Sequence, residues 1–235
     1  MQQLSLFSNR PARRKPGRNR RHATKKVETP VTLNLWMQDV DQEREMALFF
    51  LDIRNFTGLA ERHQASDIIH IVKKLFSAFQ HIIRVHHGQI IETAGDGFYA
   101  AFGFNSDVVT AVNNAVQAGM RILETLHQLN RDSFEINLQR RIEVGIGIHA
   151  GKVATGNMVV GNTDHIVVMG YPVNVAARIQ TATKELNNNF IISSAVFEKL
   201  SASLPDHTKV KATLKGVKDP LDVFLIGESY VPNKQ

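Results

Sequence analysis

The stretch "IIETAGDGFYAAFG", residues 90–103, contains two apolar, strand-like segments that meet at a tight Ala-Gly-Asp-Gly turn. Glycine beside an acidic residue is typical of a hairpin turn. The turn carries Asp96 at its tip, and a second acid, Glu92, comes just before it. A plain hairpin needs only its turn residues, so both acids are candidates for a chemical role.

The elements around this hairpin predict the fold. The run "MALFFLDI" at 46–53 is almost continuously apolar, which predicts a strand buried on both faces. Apolar residues at three- and four-residue steps predict amphipathic helices at about 66–88 and 107–129, and 141–151 is a further core strand. The order strand, helix, hairpin, helix, strand is that of a split βαβ, ferredoxin-like core. We therefore predict an α/β protein of the α+β sandwich type, with helices packed on a mostly antiparallel sheet.

The remaining elements extend this core. A short strand-like run at 165–170 precedes a helix that is entered through Pro172. Two late strands are expected near 189–193 and 221–226, with a short helix at about 194–200.

Positive charge is concentrated in the first 30 residues. They hold nine Lys and Arg against one acid, a net charge of +8, so the other 205 residues of this +6 chain carry −2. We predict a basic, disordered tail and lead-in at 1–44, a folded domain at 45–228 and a C-terminal tail at 229–235. The basic tail suits contact with an anionic surface or nucleic acid, and a solvated leader is the alternative. Trp36 is expected to dock either on the domain or on a partner.

Composition excludes several classes of protein. The chain has no cysteine, which rules out disulfides and thiolate metal sites. It also has no apolar run approaching the roughly 18–20 residues of a membrane span, and no signal-type segment. These features predict a cytoplasmic protein.

Two carboxylates define the candidate site. Asp52 ends the first predicted strand and Asp96 lies at the hairpin tip, so both should emerge at one edge of the sheet. Two neighbouring acids repel each other unless a cation lies between them. Mg²⁺ commonly binds to one or two carboxylates together with substrate phosphates. Taken singly, either acid could instead be an ordinary turn residue.

Other residues fit a phosphate chemistry. The turn "NFTGL", with Phe56 and Thr57, offers backbone amides that could cradle phosphates. Lys152 follows a glycine-flanked turn. Asn174 and Arg178 lie four residues apart, on one face of a predicted helix, where they could orient a ribose and neutralise phosphoryl charge. The alternative is that this face simply points into water.

Five ordered blocks give the chain its resemblance to a family: "FFLDIRNFTGLAE", "ETAGDGFYAAFG", "VGIGIHAGKVATGNMVVG", "MGYPVNVAARIQ" and "LKGVKDPLDVF". Over about 47–224 they resemble the catalytic domain of class III nucleotidyl cyclases, the adenylate and guanylate cyclases. The resemblance implies an enzyme that converts a nucleoside triphosphate into a 3′,5′-cyclic nucleotide and pyrophosphate. It also implies a head-to-tail homodimer with active sites in the interface.

The resemblance assigns the metal and phosphate positions. Asp52, Asp96 and the Ile53 carbonyl would hold two divalent cations, Mg²⁺ or Mn²⁺. One ion would polarise the ribose 3′-oxygen for attack on the α-phosphate, and the other would hold the β- and γ-phosphates. Lys152 stands where the family carries an arginine, so a point charge replaces a bidentate fork.

The partner protomer would supply the rest of the site. The resemblance implies that its Asn174 positions the ribose, its Arg178 stabilises the transition state and its Lys215 contacts the triphosphate. The sequence identifies no regulator and no downstream effector of the cyclic nucleotide.

Two positions usually read the base in this family, and here they hold Glu92 and Val167. A carboxylate suits the N1–H and exocyclic amine of guanine, whereas Val167 offers no side-chain hydrogen bond. A purine substrate, GTP or ATP, is favoured. A pyrimidine cyclase that makes cyclic UMP or CMP in antiphage defence and a catalytically silent nucleotide-binding module are the alternatives.

Overall fold

The computed structural model describes residues 37–135, 140–204 and 206–231. Residues 1–36 of the tail and lead-in predicted at 1–44, Trp36 included, and residues 232–235 of the predicted C-terminal tail lie outside these described residues. Residues 37–44, predicted as part of the disordered lead-in, belong to a strand. The described elements are, in chain order, β1 (Met37–Ile53), α1 (Phe56–Ala60), α2 (Ala65–Val85), β2 (Gly88–Ala94), β3 (Gly97–Phe102), α3 (Val108–Leu129), a π-helical turn (Asn130–Phe134), β4 (Val144–Val160), β5 (Thr163–Met169), α4 (Tyr171–Glu185), β6 (Phe190–Ser193), α5 (Ser194–Phe197), β7 (Thr208–Ala212) and β8 (Leu221–Leu225).

The strands form one sheet in the order β2-β3-β1-β4-β6-β8-β7, and β5 pairs with β4 outside this path. β1 lies between β3 and β4 and is antiparallel to both. The pairing of β4 with β6 is parallel, and the other pairings described are antiparallel. This arrangement confirms the predicted ferredoxin-like core and mostly antiparallel sheet.

The packing of β1 explains why residues 46–53 form an almost continuous apolar run. Phe49 and Leu51 belong to the large core that α2 and α3 cover. Met46 and Leu48 point to the opposite face, where they pack with Val168 of β5 and with residues of α4. Both faces of this strand are therefore buried, as predicted.

Three features of the strands differ from the sequence prediction. β1 begins at Met37 rather than at residue 46, and β4 continues to Val160 rather than ending at 151. These extra segments pair with each other and with β5. β7 was not predicted, because its "TKVKA" sequence keeps most of its side chains exposed. A strand that buries few side chains has no apolar run in its sequence, so hydrophobic patterning does not predict it.

The helices of the described residues were compared with the length and hydropathy of a membrane span. None is both long and apolar enough to cross a membrane.

Candidate active site

Asp52 and Asp96 lie next to each other at one edge of the sheet, as the topology predicted. Asp52 pairs with Gly97 across β1 and β3, and the Ile53 N–H donates a hydrogen bond to the Asp96 carbonyl at 3.1 Å. A Cβ on Gly97 would come within 2.7 Å of the Leu51 carbonyl oxygen and 3.2 Å of Asp52 Oδ1. The glycine therefore allows the hairpin tip to approach the end of β1 closely.

The carboxylate of Asp52 lies in an environment that disfavours its charge. Its side chain is 28% exposed. Burial raises the pKa of Asp52, and the neighbouring Asp96 carboxylate raises it further. Lys184 Nζ, 3.7 Å from Asp52 Oδ2, acts in the opposite direction. A bound cation would offset the repulsion between these two carboxylates.

The donors at this edge fit a hard divalent cation. Asp52, Asp96 and the main-chain carbonyl of Ile53 offer oxygen atoms, which Mg²⁺ and Mn²⁺ prefer. Among the described residues, no group of three or more His, Cys, Asp or Glu side chains forms a metal cluster. A site with two carboxylates leaves coordination positions for phosphate oxygens and water, which is the usual arrangement for Mg²⁺ beside a phosphorylated substrate.

The turn after β1 is short and polar at its start. Asn55 has φ 52°, a left-handed conformation that asparagine tolerates better than most residues. α1 begins at Phe56, and Thr57 is exposed. The first-turn N–H groups of a helix have no intrahelical acceptor, so they are free to meet an anion.

Asn174 and Arg178 are both exposed on α4, as the four-residue spacing predicted. They precede Lys184 by ten and six residues, or about 15 Å and 9 Å along a helix axis at 1.5 Å per residue. Lys184 is the α4 residue that lies beside Asp52. Within one protomer the structure therefore does not bring Asn174 to the carboxylate pair.

Lys152 lies still farther from the carboxylates. β4 pairs Gly145 with Asp52 and Lys152 with Glu45, so seven residues, roughly 23 Å at about 3.3 Å each, separate the two positions. Lys152 forms an exposed ion pair with Glu43. Lys215 is exposed in the loop between β7 and β8. Lys152 therefore does not meet Asp52 in the same chain. The two strands that flank the Lys215 loop lie three and four places from β1 in the sheet.

The two base-reading candidates lie on strands that contact each other, β2 and β5. Glu92 is exposed and lies opposite Tyr99, whereas Val167 is half-buried and opposite Gly156. The Tyr99 ring stacks on Phe50 with 4.7 Å between the ring centroids. One protomer can thus bring both candidates to the same region.

The sequence analysis did not predict which residues of the same chain lie around Asp52. Lys184 is one, and no pattern in the sequence indicates that the end of α4 crosses the start of β4. A second feature is the stacking of the Arg54 guanidinium over the Tyr230 ring, at 4.3 Å from its centroid. The Val231 N–H also donates to Glu143 Oε1 at 2.9 Å. The segment around residue 230 therefore packs against Arg54, which follows β1, and Glu143, which precedes β4.

Comparison with known proteins identifies the family and the fold. Residues 38–227 match the family model for the adenylate and guanylate cyclase catalytic domain. The terminal-differentiation-specific adenylate cyclase of Dictyostelium discoideum is 26% identical over 184 residues, which is 77% of this chain and 8% of that protein. The chain likewise spans only between 27% and 32% of the length of seven other curated relatives.

Two solved structures show the same fold. The adenylyl cyclase CyaB from P. aeruginosa has a TM-score of 0.72 and 21% identity, with 83% of this chain and 98% of that chain covered. The guanylyl cyclase Cya2 has a TM-score of 0.69 and 26% identity, with 81% and 95% covered. These comparisons give no support to a pyrimidine cyclase or to a silent binding module.

Proposed function

The chain belongs to the adenylate and guanylate cyclase catalytic domain family, and we propose that it converts GTP or ATP into a 3′,5′-cyclic nucleotide and pyrophosphate. Divalent metal ions generally serve as cofactors in this family. The observation that carries the proposal is the pair Asp52 and Asp96, brought together at the end of β1 beside a turn suited to phosphate. We expect Mg²⁺ or Mn²⁺ as the ion, and two ions for each site.

The metal half of the site comes from one protomer. Asp52, Asp96 and the Ile53 carbonyl would hold the cations, which supply activation of the ribose 3′-hydroxyl and neutralise the charge of the triphosphate. Backbone amides at Phe56 and Thr57 would contact the phosphates from the first turn of α1. With the ions bound, these groups would hold the triphosphate in position for in-line attack on the α-phosphate.

The other half comes from a second copy of the chain. Asn174 would orient the ribose and Arg178 would stabilise charge on the α-phosphate in the transition state. Lys152 and Lys215 would add positive charge for the triphosphate. Lys152 and Asn174 lie away from the carboxylates of their own chain, which supports a shared site. A head-to-tail homodimer would juxtapose the two halves twice.

Exposed apolar side chains support such an interface. Val159 and Met169 on the β4–β5 hairpin and Tyr171 at the start of α4 are each more than half exposed, and Ile166 is 37% exposed. They lie on the β4–β5 hairpin or at the start of α4, the helix that carries Asn174. Contiguous exposed apolar surface commonly marks a protein–protein contact.

The proposed preference for guanine rests on Glu92. Its carboxylate can accept hydrogen bonds from the N1–H and exocyclic amine of guanine, whereas it would repel the N1 lone pair of adenine. Val167 adds no polar reader. We therefore propose GTP as the preferred substrate and ATP as the weaker one.

The test is turnover of the purified protein with ATP, GTP, CTP and UTP separately, in Mn²⁺ and in Mg²⁺, with cyclic products resolved from pyrophosphate. We expect cyclic GMP as the main product and a loss of at least about 10²-fold in Asp52→Asn, because a metal-binding carboxylate is removed. Asp67→Asn, an exposed acid on α2, is the matched control and should retain activity. A folded, dimeric protein that turns over none of the four would contradict the proposal.

A further inference from the structure

Lys184 is held beside Asp52 by the way α4 packs on β4. The Gln180 side-chain amide donates to the Gly145 carbonyl at 3.3 Å, and Thr183 is fully buried one residue before Lys184. Gly145 in turn pairs with Asp52 across the sheet. The helix therefore presents Lys184 to the carboxylate, with Nζ 3.7 Å from Asp52 Oδ2.

We propose that Lys184 is the resident counter-ion of the carboxylate pair in the metal-free protein, and that divalent cations must displace it to bind. Lys184 thereby sets the metal affinity of the site. The inference rests on the proposed function, since it concerns the same two carboxylates. It gives a role to a residue that neither half of the proposed catalytic machinery uses.

The charges around the site favour this assignment. Asp52 and Asp96 repel each other without a cation, and an ammonium beside Asp52 offsets part of that repulsion. The other nearby cation, Arg54, has its guanidinium stacked on Tyr230. Among the described residues, Lys184 forms the ion pair to Asp52.

Lys184 is also able to leave. Its side chain is 46% exposed, and lysine carries its charge on a flexible four-carbon stem. An ammonium and a divalent cation on the same carboxylate repel each other, although water screens much of the interaction. Binding of the metal should therefore swing the Lys184 side chain towards solvent, at a cost in affinity that disappears when the charge is removed.

The experiment is a titration of the nucleotide-free dimer with Mn²⁺, with the free ion followed by its electron paramagnetic resonance signal. We expect Lys184→Met to bind Mn²⁺ about three- to tenfold more tightly than the unaltered protein. Lys184→Arg keeps the charge and should bind within about twofold of the unaltered protein. Lys211→Met is the matched control, because it removes an equal charge from β7, four strands or roughly 19 Å away at about 4.8 Å per strand.

A second measurement does not depend on added metal. In EDTA, Lys184→Met should unfold at a lower temperature than Lys211→Met, because its two carboxylates have lost their counter-ion. Saturating Mn²⁺ should raise the unfolding temperature of Lys184→Met more than that of the unaltered protein.

The outcomes separate this inference from the proposed function. Mn²⁺ binding that Asp96→Asn abolishes but Lys184→Met leaves unchanged would overturn the inference and leave the proposed function standing. An equal gain in affinity in Lys211→Met would also overturn it, since the effect would then be one of net charge. If the unaltered protein binds no Mn²⁺ that Asp96→Asn removes, both the inference and the metal half of the proposed function are wrong.

Discussion

Gly147 of β4 lies where α4 approaches the sheet closely. A Cβ built on Gly147 would lie 2.2 Å from the backbone N of Gln180 and 2.5 Å from its Cα. These are backbone atoms, so no change of side-chain rotamer can relieve the contact. In Gly147→Ala the helix itself must move away by roughly 1 Å to restore ordinary contact distances.

The cost should be large for a single added methyl group. Overpacking of a close-packed interior typically costs about 1–3 kcal/mol, and a clash with helix backbone belongs at the upper end of that range. For a domain of this size each kcal/mol lowers the unfolding temperature by about 2–4 °C. We therefore expect Gly147→Ala to unfold about 6–12 °C below the unaltered protein. Because α4 carries Asn174 and Arg178, kcat should fall as well.

Gly145→Ala is the matched control on the same strand. Its Cβ would meet the Thr183 Oγ1 at 2.4 Å, the Tyr230 hydroxyl at 2.8 Å and the Gln180 Nε2 at 3.2 Å. These are side-chain atoms rather than helix backbone, so Gly145→Ala should cost less than Gly147→Ala, although the buried Thr183 must turn its hydroxyl away from the Gln180 carbonyl. Thermal unfolding followed by circular dichroism compares the two variants. A Gly147→Ala protein as stable as Gly145→Ala would refute the close packing of α4 on β4.

Two further predictions concern His149 and Glu92. Burial lowers the pKa of His149 to about 4, and its Nδ1 lies 2.8 Å from Ser193 Oγ. The folded state holds this imidazole neutral, so its contribution to the free energy of unfolding is fully present above about pH 6.5 and is lost as pH falls towards 4. Urea unfolding should show a loss of about 2–3 kcal/mol over this range. His149→Asn should flatten this pH dependence. In Glu92→Lys the kcat/KM ratio of GTP to ATP should fall by at least about tenfold, and an unchanged ratio would show that Glu92 does not read the base.

The core of the fold could be predicted because its signals are local. The apolar run that ends at Asp52, the helical periodicity of α2 and α3 and the glycine-rich turn around Asp96 each report one element. Their order then specifies the topology. The arm formed by the start of β1, the end of β4 and β5 could not be predicted in full, because its strands pair with each other and β5 buries few of its side chains.

The candidate site likewise has a part that the sequence predicts and a part that it does not. Asp52 and Asp96 were predicted to be neighbours because both end adjacent strands, and the structure confirms that placement. Lys184 was missed because its position depends on how α4 packs on β4, where Gly147 allows a close approach and Thr183 is buried, and no sequence motif reports that packing. The roles of Lys152, Asn174, Arg178 and Lys215 stay predictions.

The most direct test of the account is complementation between two inactive variants. Asp52→Asn damages the metal half of the site and Arg178→Ala damages the transition-state half, so each homodimer should be nearly inactive. If the site is shared, a mixed dimer contains one site with both lesions and one intact site. Refolding equal amounts together should therefore recover about a quarter of the unaltered activity. Mixed dimers verified by native mass spectrometry that stay inactive would contradict a site assembled from two protomers.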